Sequence, residues 1–569
     1  MSKKVFFSLK TPYVDEMRAD LPWEDYPRPS LVRDSYMSLN GRWNFSVCMP
    51  GETPDYSDSI LVPFPPESAL SGYEKEVPKG RVMHYRRSFS LPEGFDIGRV
   101  LLHFGAIDTT AEVYLNGRAV GSHVGGYLPF YFDITEYISD GENILTLRVV
   151  DDLSGDYPYG KQCRRRGGMW YTSVSGIWQS VWLESVPDIY VERLKITPTI
   201  KDVKIQVIGG KKEKRIVLDS GETFEFSGDE ITLSPEKIEL WTPENPKLYG
   251  FRLECGDDVV RSYFALREIA VREVRGVPRI TLNGEAYLFN GLLDQGYYPD
   301  GIFLPATSRG YEEDIRISKS LGFNMLRKHI KVEPEIFYYL CDKMGMAVFQ
   351  DMVNNSGYSF IFDTALPTVG MKKFPDTILH TNKKSREIFI RHMRDTVEHL
   401  YSFPSIVYYT IFNEGWGQFR ADDMYRLAKS LDPTRVIDAT SGWFIQSESD
   451  VDSHHVYFKP IRIKKKNRRP IVISEFGGYS HRVAGHLFGK DNYGYRLFKT
   501  PDEFEDAFIK LYTTEVEPTI ELGVSALVYT QVSDVEDETN GILTYDRKVL
   551  KLSKDRVLPI MERIKAKIR

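Results

Sequence analysis

Over roughly the first half of the chain, apolar positions fall in short runs with a spacing of two. Gly41–Val47, Met83–Leu91, Val100–Phe104, Ala111–Leu115 and Ile144–Val150 are such runs, each bounded by Gly, Pro, Asn or Asp, and they predict β-strands. Asn116-Gly117, between Val113–Leu115 and Ala119–Val120, predicts a tight hairpin, and Asp140-Gly141 marks a second turn. No long helical pattern interrupts residues 1–187, so an all-β sandwich of jelly-roll size is expected there. Residues 188–274 continue in the same rhythm. Tyr190–Ile196, Asp202–Val207, Lys214–Leu218, Thr223–Phe226, Lys237–Leu240, Tyr249–Leu253 and Val259–Ala265 predict a smaller, immunoglobulin-like sandwich without the Cys–Trp–Cys spacing.

Beyond residue 275 the period changes. Eight short runs now alternate with amphipathic segments: Tyr287–Asn290, Phe323–Leu326, Ala347–Gln350, Ile406–Ile411, Val436–Ala439, Ser453–Tyr457, Ile471–Ser474 and Ala526–Gln531. Glu387–Tyr401 carries Phe389, Met393, Val397 and Leu400 at helical spacing, and Pro334 suits the first turn of another helix. Glu503–Leu522 predicts a later helix kinked at Pro518. Eight strands alternating with helices over residues 275–569 predict a (β/α)8 TIM barrel. A doubly wound open sheet is the alternative. No G-x-G-x-x-G follows a strand and no G-x-x-x-x-G-K-[ST] is present, so neither nucleotide motif supports it.

Composition narrows the class. The chain has 569 residues, 27% charged and 42% hydrophobic, with a net charge of −6, which suits folded domains and argues against a nucleic-acid binder. Aromatics reach 13%, with 34 Tyr and 32 Phe; β-sheet cores explain that, and so would ring faces for carbohydrate stacking. Cys48, Cys163, Cys255 and Cys341 are widely spaced, so no disulfide framework or zinc ribbon is expected. The apolar run Val5–Leu9 is too short for a secretory core, and no stretch suits a membrane span. A soluble, cytoplasmic protein is expected, with no membrane partner. The basic run Lys464–Lys466 with Arg468 and Arg469 reads as a solvated loop.

Candidate chemistry lies at strand ends, because a barrel of this kind builds its site at the C-terminal face. The fourth run passes from Ser405-Ile-Val-Tyr-Tyr-Thr-Ile-Phe into Asn413-Glu414-Gly415-Trp416, and the seventh from Pro470-Ile-Val-Ile into Ser474-Glu475-Phe476-Gly477. Either glutamate alone would pass as a capping or surface residue. Two of them, each delivered by a buried strand to one barrel mouth, suit a general acid/base and a second carboxylate.

The chain resembles glycoside hydrolase family 2, the family of β-galactosidases, β-glucuronidases and β-mannosidases. The resemblance rests on Leu39-Asn40-Gly41-Arg42-Trp43, Ser175-Gly176-Ile177-Trp178, Gly322-Phe323-Asn324-Met325-Leu326-Arg327, Phe412-Asn413-Glu414 and Ser474-Glu475-Phe476-Gly477, in that order. It implies Glu414 as acid/base and Glu475 as nucleophile of a retaining mechanism through a covalent glycosyl-enzyme. It implies further that Asn413 holds the sugar 2-OH, that Arg327 keeps the nucleophile ionised, and that Tyr457 donates to Glu475. His329, Asp294, Asp351, His455, Trp443 and Gln531 stand at strand ends as sugar-contact candidates, and the loop Arg164–Tyr171 is expected to reach over the mouth. Adjacent His454 and His455 should point apart on a strand, so a shared metal is not expected. The chemistry needs no cofactor; a structural Mg²⁺ or Na⁺ near Glu414 is left open, as is a homo-oligomer.

The sugar is less constrained. Where glucuronidases of the family carry Asn-x-Lys, this chain has Glu538-Thr539-Asn540, and the acidic residue argues against an acidic sugar. The strand-two arginine is followed by Lys328-His329-Ile330 rather than the Ser-His-x-Pro of large β-galactosidases. The expectation is a retaining exo-β-glycosidase of β-galactosidase type acting on a small carbohydrate. The alternatives are a β-glucuronidase, a mannoside, arabinoside or amino-sugar specificity, and a catalytically silent carbohydrate-binding protein.

Overall fold

The computed structural model of the protein describes residues 9–568 apart from 96–97, 360, 362, 364–374 and 464–467. The run Val5–Ser8 and Lys464–Lys466 lie outside the described residues. The first sandwich packs a six-stranded antiparallel sheet, with Gly41–Cys48, Val82–Ser90, Glu142–Val150 and Thr110–Leu115 at its centre, against a four-stranded one. Trp43, Phe45, Tyr85, Leu102, Val113 and Leu147 are among the residues buried between them. The Asn116-Gly117 turn joins Thr110–Leu115 to Arg118–Val124 with φ of 53° and 76°, the doubly positive backbone that this dipeptide tolerates.

The second sandwich pairs a three-stranded sheet with a four-stranded one around Ile205, Ile216, Leu253 and Phe264. The expected strand Lys237–Leu240 is not formed. Leu240 makes only an isolated bridge to Leu266, and Glu230–Leu233 takes the edge beside Val203–Gly209. Ser234-Pro235 follows that strand directly, and a proline ends its ladder.

The eight barrel strands are β1 (Phe289–Asp294), β2 (Met325–Lys328), β3 (Ala347–Asp351), β4 (Ile406–Asn413), β5 (Val436–Ser441), β6 (Asp452–Val456), β7 (Ile471–Gly477) and β8 (Val524–Thr530). They form one parallel sheet in the order β5-β4-β3-β2-β1-β8-β7-β6, a nearly closed barrel whose β5 and β6 face each other without forming a ladder. The architecture is therefore multidomain, with β-sandwiches followed by a (β/α)8-like barrel. Gly291 in β1 has a packing reason: a Cβ there would stand 2.0 Å from the Met325 carbonyl oxygen.

Among the described residues, helices α1 (Arg309–Ser320), α2 (Glu335–Met344), α3 (Lys383–Leu400), α4 (Ala421–Leu431), α5 (Pro501–Leu511) and α6 (Lys554–Ala566) surround it. The periodic face of α3, with Phe389, Met393, Val397 and Leu400, is buried. The long helix expected through Leu522 stops at Leu511. A π-turn (Tyr512–Val516) and a 3₁₀ turn (Glu517–Leu522) follow, because Pro518 has no N–H to give and its ring would collide with the carbonyl four residues back. Among the described residues, no helix is long and apolar enough to cross a membrane.

Two contacts position the site. A hairpin, Ile269–Val274 with Val277–Leu282, plugs the barrel floor by packing Ile269, Ile280 and Leu282 against Phe289, Met325, Phe349 and Val472. The boundary expected near residue 275 falls in the turn of this hairpin. From the first sandwich, Trp23, Phe64, Tyr127, Tyr171 and Trp178 share one core with Tyr297, Phe303 and Leu326 of the barrel. The sandwich is thus docked at the open end of the barrel, above the strand C-termini.

Candidate active site

Strand parity decides which polar residues meet. In β2, Arg327 is in register with Leu293 and Phe349, which face the barrel interior. The next residue, Lys328, must face the helices, and its partners in register are Asp294 and Gln350. The arginine enters the cleft and the lysine leaves it.

Arg327 is fully buried and holds four groups at once. Nε lies 3.0 Å from Asp351 Oδ1, Nη1 is 3.2 Å from Glu475 Oε1 and 2.9 Å from the Ser474 carbonyl, and Nη2 donates to Asn413 Oδ1 at 2.9 Å. That last bond fixes the amide orientation and leaves Asn413 Nδ2 as the free donor. His329 Nδ1 contacts Asp351 Oδ2 at 2.7 Å. Burial would raise the Asp351 pKa, but Arg327 and His329 outweigh it and hold the carboxylate below its ordinary range.

Glu475, at the end of β7, receives the Tyr457 hydroxyl on Oε2 at 2.5 Å. Burial pushes its pKa up, yet the charges of His455, Arg327 and His329 and the tyrosine hydrogen bond win, so it sits below an ordinary glutamate. Glu414 follows β4 with a φ of 51°, a left-handed conformation that a side-chain-bearing residue adopts only under constraint, and Gly415 continues it at 77°. Its backbone N–H donates to the Ser441 carbonyl at 2.9 Å, which pins the kink. The kink turns the Glu414 side chain toward His455, whose Nδ1 lies 2.8 Å from Oε1. Ser441 Oγ donates to Ser474 Oγ and so accepts from His455 Nε2 at 2.9 Å. His454 points the other way, to Asp452 at 3.3 Å.

One oxygen each of Glu414 and Glu475 and the His455 nitrogen lie within 4.8 Å of one another. Among the described residues this is the set spaced to hold a metal. Mg²⁺ favours all-oxygen coordination with its own waters, so a trio that includes an imidazole nitrogen does not fit it.

Of the other candidates, Trp443 stands beside His455 with ring centroids 6.0 Å apart. Gln531 is buried in an amide chain that runs from Gln295 through Gln531 and Asn540 to Glu538. Asp294 does not join the cleft. Its carboxylate turns outward to Lys328 Nζ at 2.6 Å, and that ammonium also contacts Glu333 at 2.8 Å. Gln295, one residue on, takes the inward place.

The first sandwich supplies the remaining wall through Trp170 and Tyr171 of the expected loop Arg164–Tyr171, and through Lys161 and Thr172 on either side of it. Trp170 stacks on Trp416 at 5.3 Å, the Tyr171 hydroxyl donates to Glu538, and the Thr172 N–H donates to Glu536 at 2.9 Å. Lys161 extends beside Trp416, its ammonium 4.5 Å from the ring centroid. Lys161 lies outside the loop that the resemblance marked, and loop residues carry no periodicity that would point to it.

The sugar binding domain of glycosyl hydrolases family 2 matches residues 59–187, and the TIM barrel domain of the same family matches residues 279–551. The chain belongs to glycoside hydrolase family 2. A β-galactosidase of Thermoanaerobacter pseudethanolicus is 26% identical over 333 residues, covering 54% of this chain and 44% of its own. A putative β-glucuronidase of Formosa agariphila is 26% identical over 436 residues, covering 67% and 48%. The chain spans about half the length of the curated relatives it matches. Among solved structures, an uncultured Clostridium sp. β-glucuronidase superposes with a TM-score of 0.73 at 19% identity, covering 93% of this chain and 98% of that one. The galacturonate-bound β-galacturonidase of Eisenbergiella tayi gives 0.66 at 20%, covering 93% and 97%. At these identities the structural likeness establishes the fold of this family 2 chain.

Proposed function

We propose that the protein is a retaining exo-β-glycosidase. The observation that carries this reading is the pair of carboxylate oxygens of Glu414 and Glu475, within 4.8 Å across one cleft. That separation suits direct attack, since retaining enzymes hold their carboxyls about 5 Å apart and inverting ones leave room for a water. Glu475 attacks the anomeric carbon while Glu414 gives its proton to the leaving oxygen. Glu414 then takes a proton from water, whose oxygen displaces Glu475 and releases the sugar. Asn413 Nδ2 donates to the 2-OH, and Arg327 with Tyr457 keeps Glu475 ionised and aimed. The first-sandwich wall of Lys161, Trp170 and Tyr171 closes one side of the cleft, which supports cleavage at chain ends. The four free cysteines support work in a reducing compartment such as the cytoplasm.

The family 2 sugars named among the relatives differ at C6. A galactoside, for which several curated relatives are named, carries a hydroxymethyl there, and a uronide, for which the solved structures are named, carries a carboxylate. Proton NMR of the first product from aryl β-glycosides tests the mechanism. The β-anomer should appear first, and a first-formed α-anomer would rule out retention. A 2-deoxy-2-fluoro glycoside should label Glu475, seen by peptide mass.

A further inference from the structure

Lys161 stands apart from every other buried lysine. Lys214, Lys328, Lys331 and Lys551 each give their ammonium at least one hydrogen-bond acceptor. Lys161 is 7% exposed, and among the described residues its ammonium has no hydrogen-bond acceptor and no carboxylate oxygen within 4.0 Å. It is caged by the faces of Trp416 at 4.5 Å and Trp170 at 5.8 Å. Its stem is held by its own backbone, since the Lys161 carbonyl accepts from Tyr171 N at 3.0 Å and the side chain of neighbouring Gln162 binds Asp108 and Tyr127. Trp416, two residues after Glu414, places the ammonium beside the reaction centre, where the charges that act on it are Glu538, Glu475, Glu414 and Arg327. An ammonium held in place at the cleft, with no acceptor among the described residues, is free to take one from a ligand.

The same wall lacks more than acceptors. Trp416 Nε1 is a buried donor without a partner, and Gln295 Oε1 is a buried acceptor without one. Gln295 heads the amide chain that ends on Glu538, whose two oxygens already take Asn540 Nδ2 and the Tyr171 hydroxyl. The wall therefore asks for a group that both donates and accepts. A hydroxyl does so; a carboxylate only accepts, and it would add an anion beside Glu538, Glu475 and Asp351.

Resting on the glycosidase reading, we propose that Lys161 is the specificity-determining residue supplied by the first sandwich: it donates to a hydroxyl of the terminal sugar and, with Glu538, selects a neutral sugar over a uronide. The balance is local. Lys161 counters the burial of Glu538, and Arg166, the other cation of this loop, is already taken by Glu536 and Asp537.

The test uses the full chain and 4-nitrophenyl β-glycosides in pairs that differ only at C6: galactoside with galacturonide, glucoside with glucuronide. The neutral member should lead by about a hundredfold or more in kcat/KM, the scale of a site whose buried polar groups go unmet by the wrong substrate. Lys161→Met keeps the stem on Trp416 and should lower kcat/KM for the best neutral substrate about a hundredfold. With the monodeoxy analogue lacking the contacted hydroxyl, that loss should vanish. Lys161→Arg should restore part of the activity. Faster turnover of the uronides would overturn the proposal and leave the glycosidase reading standing. An equal loss on every deoxy analogue with a shifted pH profile would overturn it too, as a purely electrostatic role. Turnover of no glycoside at all would sink the glycosidase reading itself.

Discussion

Arg327 and Lys328 are neighbours in β2, both fully buried, and each anchors a cluster of ionised side chains. Around Lys328 the cluster is closed. Two cations, Lys328 and Lys331, meet two anions, Asp294 and Glu333, and the Tyr311 hydroxyl and the carbonyls of Gly296 and Phe303 take up the remaining bonds. Around Arg327 it is open. One cation meets Asp351 and Glu475, and the surplus negative charge lies at the cleft. Ion pairing as such therefore does not mark a site. A cluster that neutralises itself fastens the strand to its helices, and one that leaves a carboxylate in excess offers a nucleophile. The step between them is a single residue, because successive side chains of a strand take opposite faces.

The largest effects should separate the two clusters. Glu475→Gln should cut kcat by about 10⁴-fold, as loss of a covalent nucleophile does, with a melting temperature within a few degrees of wild type. Aryl-glycoside turnover and calorimetry on one preparation would check both halves, and a kcat within tenfold of wild type would remove Glu475 from the mechanism. Lys328→Met should do the reverse. It strips the cation shared by Asp294 and Glu333, which should cost about 3–5 kcal/mol of stability, while the molecules that remain folded keep their kcat/KM.

The same parity explains what could be read from sequence alone. All eight barrel strands were legible, since buried parallel strands are continuous apolar runs, and so were the two strand-end glutamates. The choice between Asp294 and Gln295 was not, because it depends on the pairing of β1 with β2 and a shift of one residue reverses it. Lys161 was beyond reach for another reason. It arrives from a loop more than 250 residues away from Glu414, and only tertiary docking brings it to the cleft.

The remaining effects are smaller and depend on pH. His455 and Arg327 above all hold Glu475 below an ordinary glutamate, so the acidic limb of kcat/KM should lie below that range. Asp351→Asn frees Arg327 to act on Glu475 alone; the limb should fall further, and kcat/KM should drop about tenfold as Arg327 loses its brace. A limb that stays put would break the electrostatic link between β2 and β7.

Asp294→Asn is the weakest of these perturbations and sharpens the comparison most. The amide keeps one acceptor oxygen, for Gly296 N or for Lys328, and loses the other bond, so the loss should be about 2 kcal/mol, the worth of a charge-assisted bond. Burial pushes the Asp294 pKa up, but Lys328 pulls it below the usual 3.8, so folding favours its ionised form. Its contribution is complete above that usual value and fades as pH falls through the lower folded one. Wild type should therefore melt above Asp294→Asn at neutral pH, and the gap should narrow in acid, while the pH profile of kcat/KM stays the same in both proteins. A gap that ignores pH would mean that Asp294 acts by packing, and a shifted profile would mean that the two clusters of β2 are one.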